Sequence, residues 1–376
     1  MEYFSTYIIY LGLLSGIILL LLTKKQVFAP VEGGILESYN KLNLQDYFIL
    51  ILLVTIVGLR YNVGVDWPAY KEYFEDFDLY KNLSFQDQTM EVGYYLINYF
   101  ANYIGGGYIL VFSIAACVSW FFVLKSVPAK LLPLIIFFIF SDGYFFWSMN
   151  GVRQFIAVAI FAYSIKFILS KKFLNYFLFI ILAALFHQSA ILLIPLFFIP
   201  YERVFKQKWW MIVFGISFVF SGTPLILSAL PKIFKVISEF VPFLAGYNSY
   251  FDSQYYEARE LTGTGLGYYF RILISFVLLI FSKPLIQKYP ETRVYFVLFF
   301  LGVIIYNLFF SFQIVERFTT YFLFLRAYLL GFLVYYLYKS RTFNFIGLGI
   351  LVIYFILFWS DIYTSANDCC PYQISI

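Results

Sequence analysis

The chain has 376 residues, 62% of them hydrophobic and 12% charged, with a mean hydropathy of +0.82 and a net charge of +5. Soluble domains carry about twice that charged fraction, which excludes a water-facing fold of this size. A bilayer removes the need for polar cover, because lipid-facing surface is apolar.

Stretches of about 20 mostly apolar residues mark spanning helices. In chain order they are predicted at 5–23, 45–59, 107–125, 129–141, 150–169, 173–187, 188–200, 208–223, 265–282, 292–310, 317–338 and 342–360. The fold class is therefore all-α: one integral membrane domain over 1–376 with about 12 transmembrane helices. The first run, Tyr7 to Leu22, has no basic residue before it and no small-residue cleavage motif after it, and reads as a retained helix. Two segments between helices are long, 60–106 and 221–264. The first holds the acidic Phe74–Asp78 and the amphipathic Gly93–Ile104, predicted to lie at the interface. The second holds the amphipathic Pro231–Leu244 and the Tyr-rich run Tyr247–Tyr256. Residues 173–200 form 28 nearly unbroken apolar positions, either one tilted helix or two short ones broken at Phe186-His187-Gln188-Ser189. Cys117 reads as a small hydrophobe, and Cys369 with Cys370 as free tail thiols, since a disulfide between neighbours is strained. One histidine and no zinc-like cysteine spacing give no metal site, and no cofactor is expected.

Basic residues separate the loops. Alternate loops and helix ends carry 16 basic residues against five acidic ones, and the other side carries 10 against 16, a net +11 against −6. The positive-inside rule places the lysine-rich side in the cytoplasm and both termini on the outer side. That alternation holds only if 173–200 crosses twice, which favours the break at His187.

Arginine marks the outer side. It holds six Arg (60, 153, 259, 271, 317 and 326) and four Lys, against three Arg and 13 Lys on the other. A guanidinium offers a planar fork of donors that fits phosphate oxygens. Arg60, Arg153, Arg271 and Arg317 sit near outer helix ends and would suit a pyrophosphate at headgroup level; snorkelling and pairing with Asp66, Asp142 or Glu316 is the plainer reading. Arg326 lies deeper, about 180° around from Arg317, and fits neither group. Asn150, Arg153 and Gln154 share one face at a helix start, where the dipole favours an anion. His187 lies at an outer turn, as a general base or as a capped interfacial side chain. Asp66, ahead of Pro68, is a helix cap, a sugar ligand or a base. Tyr70 and Tyr94 could stack on sugar rings or belong to an aromatic belt; Glu91 is another carboxylate, and Glu316 with Tyr321 flanks Arg317.

Four runs carry a resemblance: Arg60–Tyr70 (R-Y-x-V-G-x-D-W-x-x-Y), Glu91–Tyr94 (E-x-G-Y), Asn150–Ala157 (N-G-x-R-Q-x-I-A) and Ala183–Ala190 (A-x-L-F-H-x-S-A). In order, spacing and helix context the chain resembles the EpsG-like branch of Wzy-type bacterial polysaccharide polymerases over roughly residues 50–200. The resemblance implies a GT-C-like glycosyltransferase of the bacterial inner membrane. Such enzymes join undecaprenyl-diphosphate-linked oligosaccharide repeats on the periplasmic face into O-antigen, capsule or exopolysaccharide. Its partners would be lipid-linked glycan donor and acceptor, membrane lipids and a chain-length regulator, with no nucleic acid. Arg153, with Arg271 and Arg317, would neutralise the diphosphate leaving group, and His187 or Asp66 would take the acceptor proton. A lipid-linked oligosaccharide flippase and a membrane O-acyltransferase are the rival readings. No internal repeat supports the first, and the lysine-rich side has no histidine for the second.

Overall fold

The computed structural model describes residues 2–24, 39–80, 90–221, 223, 266–309, 313–340 and 344–374, with Lys232, Lys235, Val236, Ser238 and Glu239. Most of the second long segment, including Tyr247–Tyr256 and Arg259, lies outside the described residues. The described chain is almost entirely helical, and seven of its helices are long and apolar enough to cross a membrane. They are joined by four shorter apolar helices at Leu44–Gly58, Ala129–Ser141, Phe173–Ala184 and Gln188–Phe198. Two compact units form, one from 1–198 with 330–376 and one from 199–329.

The first unit begins with α1 (Glu2–Leu22), α2 (Leu44–Gly58), α3 (Trp67–Glu75), α4 (Phe77–Tyr80), α5 (Val92–Tyr103) and α6 (Gly107–Ser126). It continues with α7 (Leu132–Ser141), α8 (Tyr144–Trp147), α9 (Val152–Leu169) and α10 (Phe173–Ala184). Helix α9 is its pillar. Its sequence is apolar on every side, and almost every residue from Val152 to Ile168 is buried, packed between α6 and α10. The amphipathic expectation for 93–104 appears as α5, with Tyr94, Ile97 and Ala101 turned inward and Tyr99 and Tyr103 outward.

The break expected at His187 is present. Helix α10 ends at Ala184, and the chain returns as a 3-10 helix, Gln188–Phe198, with Pro195 inside it. Tyr176 Oη donates to the Leu193 carbonyl at 2.6 Å, and the Phe173 ring meets Phe197 and Phe198, so the limbs run antiparallel. A 3-10 helix rises about 2.0 Å per residue. Its 11 residues therefore reach about 22 Å and match the limb they return along.

One end of this unit is lysine-rich. Lys24 Nζ lies 2.7 Å from Asp46, both fully buried, and donates to Asn40 Oδ1 at 3.0 Å. Asp46 also closes a capping box with Asn43 at the start of α2. Lys41, Lys125 and Lys166 surround one opening beside this pair.

The second unit holds α11 (Tyr201–Val204), α12 (Gln207–Val219), α13 (Leu266–Lys288), α14 (Thr292–Phe309) and α15 (Gln313–Leu323). Gly302 lets α14 and α15 touch: a Cβ there would stand 2.3 Å from Phe322 Cβ. Asn307 Nδ2 donates to Ser217 Oγ at 3.1 Å, tying α14 to α12. The predicted helix 317–338 is interrupted at Phe324, and α16 (Leu325–Lys339) starts afresh and continues into the first unit. Arg326, expected deep within one helix, is buried in the first turn of α16. The last helix, α17 (Asn344–Tyr363), packs on α7 and is followed by an ordered tail.

Candidate active site

At the end of the first unit opposite the lysines, all four resemblance runs meet. Gly93 is the hinge pin. Its N–H donates to the Leu185 carbonyl at 2.7 Å, and a Cβ there would lie 2.9 Å from that oxygen and from the Phe186 ring. Only glycine allows the start of α5 to lie this close on the turn that carries His187. Glu91 occupies the N-cap position of α5 in an extended conformation but makes no cap bond with its side chain. The carboxylate reaches across instead.

Glu91 joins two predicted site residues. Its Oε2 accepts from Arg153 Nη1, and its Oε1 stands 3.3 Å from His187 Nδ1. Arg153 is 29% exposed, while Glu91 and His187 are each 11% exposed. Burial pushes the Glu91 carboxyl up, but the nearby His187 and the Arg153 charge outweigh it, leaving its pKa below the ordinary 4.5. Glu91 is thus an anion at neutral pH. Tyr70 hydrogen-bonds Arg153 from behind, and its ring lies 5.3 Å from Tyr94. Tyr70 and Tyr94 are both buried, so these rings form the wall behind Arg153 and are not open platforms for a sugar.

A carboxylate on Nδ1 of a histidine fixes the tautomer and leaves Nε2 as an acceptor. The Glu91 carboxylate stands 3.3 Å from His187 Nδ1 without the alignment of a hydrogen bond, close enough to take that form on a small turn of the ring, and Arg153 is a partly open cation beside it. Gln154 is buried in the next position of α9. Among the described residues, no three His, Cys, Asp or Glu side chains converge as metal ligands.

The remaining expected residues lie elsewhere. Arg60 is fully buried and donates to the carbonyls of Val57, Val63 and Met149, with Phe112 4.2 Å under its guanidinium. Its donors are turned to the backbone, so the expected diphosphate contact is replaced by a structural one. Asn150, expected to touch substrate, is also spent on the fold. Its Nδ2 donates to the Phe146 and Asn367 carbonyls, and its Oδ1 accepts the Asp66 N–H at 3.2 Å. Gly64 fits over it with φ +103°, a conformation that a side chain disfavours, and a Cβ there would fall a tight 3.0 Å from Asn150 Oδ1. Asp66 starts α3 with an exposed side chain and no cap bond. On the second unit, Arg271 and Arg317 are exposed, Glu316 is half-buried and Tyr321 is fully buried.

The tail is the part sequence reasoning missed. Cys369 and Cys370 are buried. The Cys369 carbonyl accepts Tyr10 Oη at 2.7 Å, the Tyr372 N–H donates to Thr6 Oγ1, and the Asp368 and Gln373 carbonyls accept from Gly64 and Tyr61. Residues 364–374 strap the 60–66 loop to Asn150, just ahead of Arg153. The signal available was the polar run Asn367-Asp368 followed by Pro371-Tyr372 after the last apolar helix.

The sequence model of the EpsG family matches residues 43–374. The chain belongs to the EpsG family. The match covers every run that builds the Glu91–Arg153–His187 cluster, and it includes the tail, so the strap lies within the family's own length. No curated protein and no solved structure matches the chain. Membership in the EpsG family and the seven long apolar helices together describe a multi-pass membrane protein of polysaccharide-polymerase-like type.

Proposed function

We propose that this EpsG-family protein polymerises undecaprenyl-diphosphate-linked oligosaccharide repeats on the outer face of the bacterial inner membrane, with both termini on that face. The observation that carries the reading is one carboxylate, Glu91, bridging an arginine and the only histidine of the chain. An acceptor sugar hydroxyl attacks C1 of the donor's reducing-end sugar. Its proton goes to His187 Nε2. The bond from C1 to the lipid diphosphate oxygen breaks, and the electron pair leaves with the diphosphate, whose charge Arg153 offsets. His187 is favoured over Asp66 as the base because Glu91 orients it, whereas the Asp66 side chain is exposed. For Arg271 and Arg317 a diphosphate role is proposed on sequence grounds, each to be tested by its own substitution.

The test is purified protein mixed with lipid-linked repeats. A ladder of longer glycans from the wild type, absent from Arg153→Ala and His187→Ala, supports the reading. Transbilayer movement without elongation indicates a flippase, and an added acyl mass indicates an acyltransferase; either overturns it.

A further inference from the structure

The opening at the lysine-rich end has the chemistry of an anion site. It is a cavity of about 500 Å³, lined by Lys41, Lys125 and Lys166 together with Tyr39, Phe121 and Tyr163. Lys166 Nζ lies 3.5 Å from the centre of the Tyr163 ring and 5.8 Å from that of Tyr39. Lys125 Nζ faces the same Tyr163 ring at 5.7 Å. Two ammonium groups thus share one ring and lie close enough to repel each other. The ring faces offer each only a weak partner, about 0.5–1 kcal/mol at an exposed site. Among the described residues no carboxylate forms an ion pair with any of the three lysines. Among the described residues the acid closest in the chain to Lys41 is Asp46, which is committed to Lys24 and to the Asn43 N–H. An anion placed between the lysines would remove the repulsion.

From this geometry we infer that the cavity between α2, α6 and α9 binds a phosphate group, either the headgroup of an acidic phospholipid or a free phosphate. Basic pockets between membrane helices take anionic headgroups in this way. The tyrosines around it are side chains that favour headgroup depth. The site is separate from the Glu91–Arg153–His187 cluster and does not depend on the glycosyl-transfer reading.

Native mass spectrometry of the purified protein tests it, with dioctanoyl phosphatidylglycerol, dioctanoyl phosphatidylcholine and inorganic phosphate as probes. The wild type should bind the anionic lipid on the order of tenfold more tightly than the zwitterionic one. Lys125→Gln with Lys166→Gln should abolish that preference. Lys125→Arg with Lys166→Arg should keep much of it. Lys171→Gln with Lys172→Gln, which removes two exposed charges near the same end, should leave it intact. Displacement of the lipid by inorganic phosphate at similar concentration assigns the site to the phosphate group alone, and resistance to it assigns the site to the lipid. Unchanged preference in the double glutamine variant, or equal loss in the Lys171/Lys172 control, overturns the site. Should the double variant not fold, Lys41→Gln and Lys125→Gln singly carry the same test.

Discussion

Replacing Glu91 by glutamine probes the candidate active site most directly. The substitution keeps the shape at the start of α5 and removes the charge that pairs with Arg153 and faces His187 Nδ1 at 3.3 Å. Two losses follow. Glutamine can donate as well as accept, so it no longer selects the tautomer in which His187 Nε2 carries the accepting lone pair. A positioned general base is worth about 10²–10⁴-fold. Arg153 also loses its counter-ion. Breaking a fully buried pair costs about 3–5 kcal/mol, and the partial exposure of this one reduces that to about 1–3 kcal/mol. Elongation by Glu91→Gln should therefore fall on the order of 10²–10⁴-fold while the protein still folds. Adding Glu91→Gln to His187→Ala should cost less than Glu91→Gln costs alone, because its effect on His187 is already gone and only the loss at Arg153 remains. Acid gives a second readout. Glu91 is held below its ordinary 4.5, so it adds stability that is fully present above that value and is lost as pH falls through the folded-state pKa. Thermal melting across roughly pH 3 to 7 should show the wild type losing stability more steeply below about 4.5 than the variant. Elongation within about threefold of wild type, or parallel acid losses, would refute the reasoning.

Other outcomes rest on packing and on the buried polar groups. Gly93→Ala should lower both stability, by about 1–3 kcal/mol, and elongation, because a Cβ would strike the Leu185 carbonyl; Gly12→Ala, with nothing within 4 Å, serves as the neutral control in the same melting and ladder assays. Asp46→Asn should destabilise by about 3–5 kcal/mol by leaving Lys24 buried without its carboxylate, and the elongation rate per folded molecule should stay near wild type. Burial pushes both Cys369 and Cys370 up to about 12, so neither should react with iodoacetamide at about pH 8 until the protein is unfolded, as peptide mass spectrometry would show.

The helices were readable because the apolar runs are long and the bilayer demands them. Charge pattern alone also grouped Lys24, Lys41, Lys125 and Lys166 at one end and Arg153 with His187 at the other, and within the first unit these groupings hold. What each polar residue does was less legible. Composition gives Glu91 no distinction among 21 acidic residues; its role depends on a backbone contact between Gly93 and Leu185 that lie 92 positions apart. Arg60 and Arg153 look alike in sequence, both near helix ends. One is surrounded by carbonyls and the other by a carboxylate, a difference set by tertiary packing. Cys369 and Cys370 are the free thiols expected, but their burial had no signal, because a segment that follows the last apolar run has no periodic pattern. Here Tyr10, Thr6 and Gly64 supply the partners from distant segments.

A single helix carries both polar ends. Arg153 opens α9 and Lys166 lies in its last turn, 13 residues or about 20 Å along the axis. The whole helix, about 27 Å long, is close to the roughly 30 Å of a hydrocarbon core. The side on which the lysines lie therefore fixes the side on which Glu91, Arg153 and His187 lie. Because basic residues are retained in the cytoplasm, the cluster should face outward, where lipid-linked repeats would be joined. Cysteines introduced at Asp76 and at Lys171, both exposed, read this out. A membrane-impermeant maleimide applied to spheroplasts should label the Asp76→Cys protein, and should label Lys171→Cys only after the membrane is opened. The reverse pattern would place the cluster in the cytoplasm and would rule out glycan polymerisation at an outward-facing site.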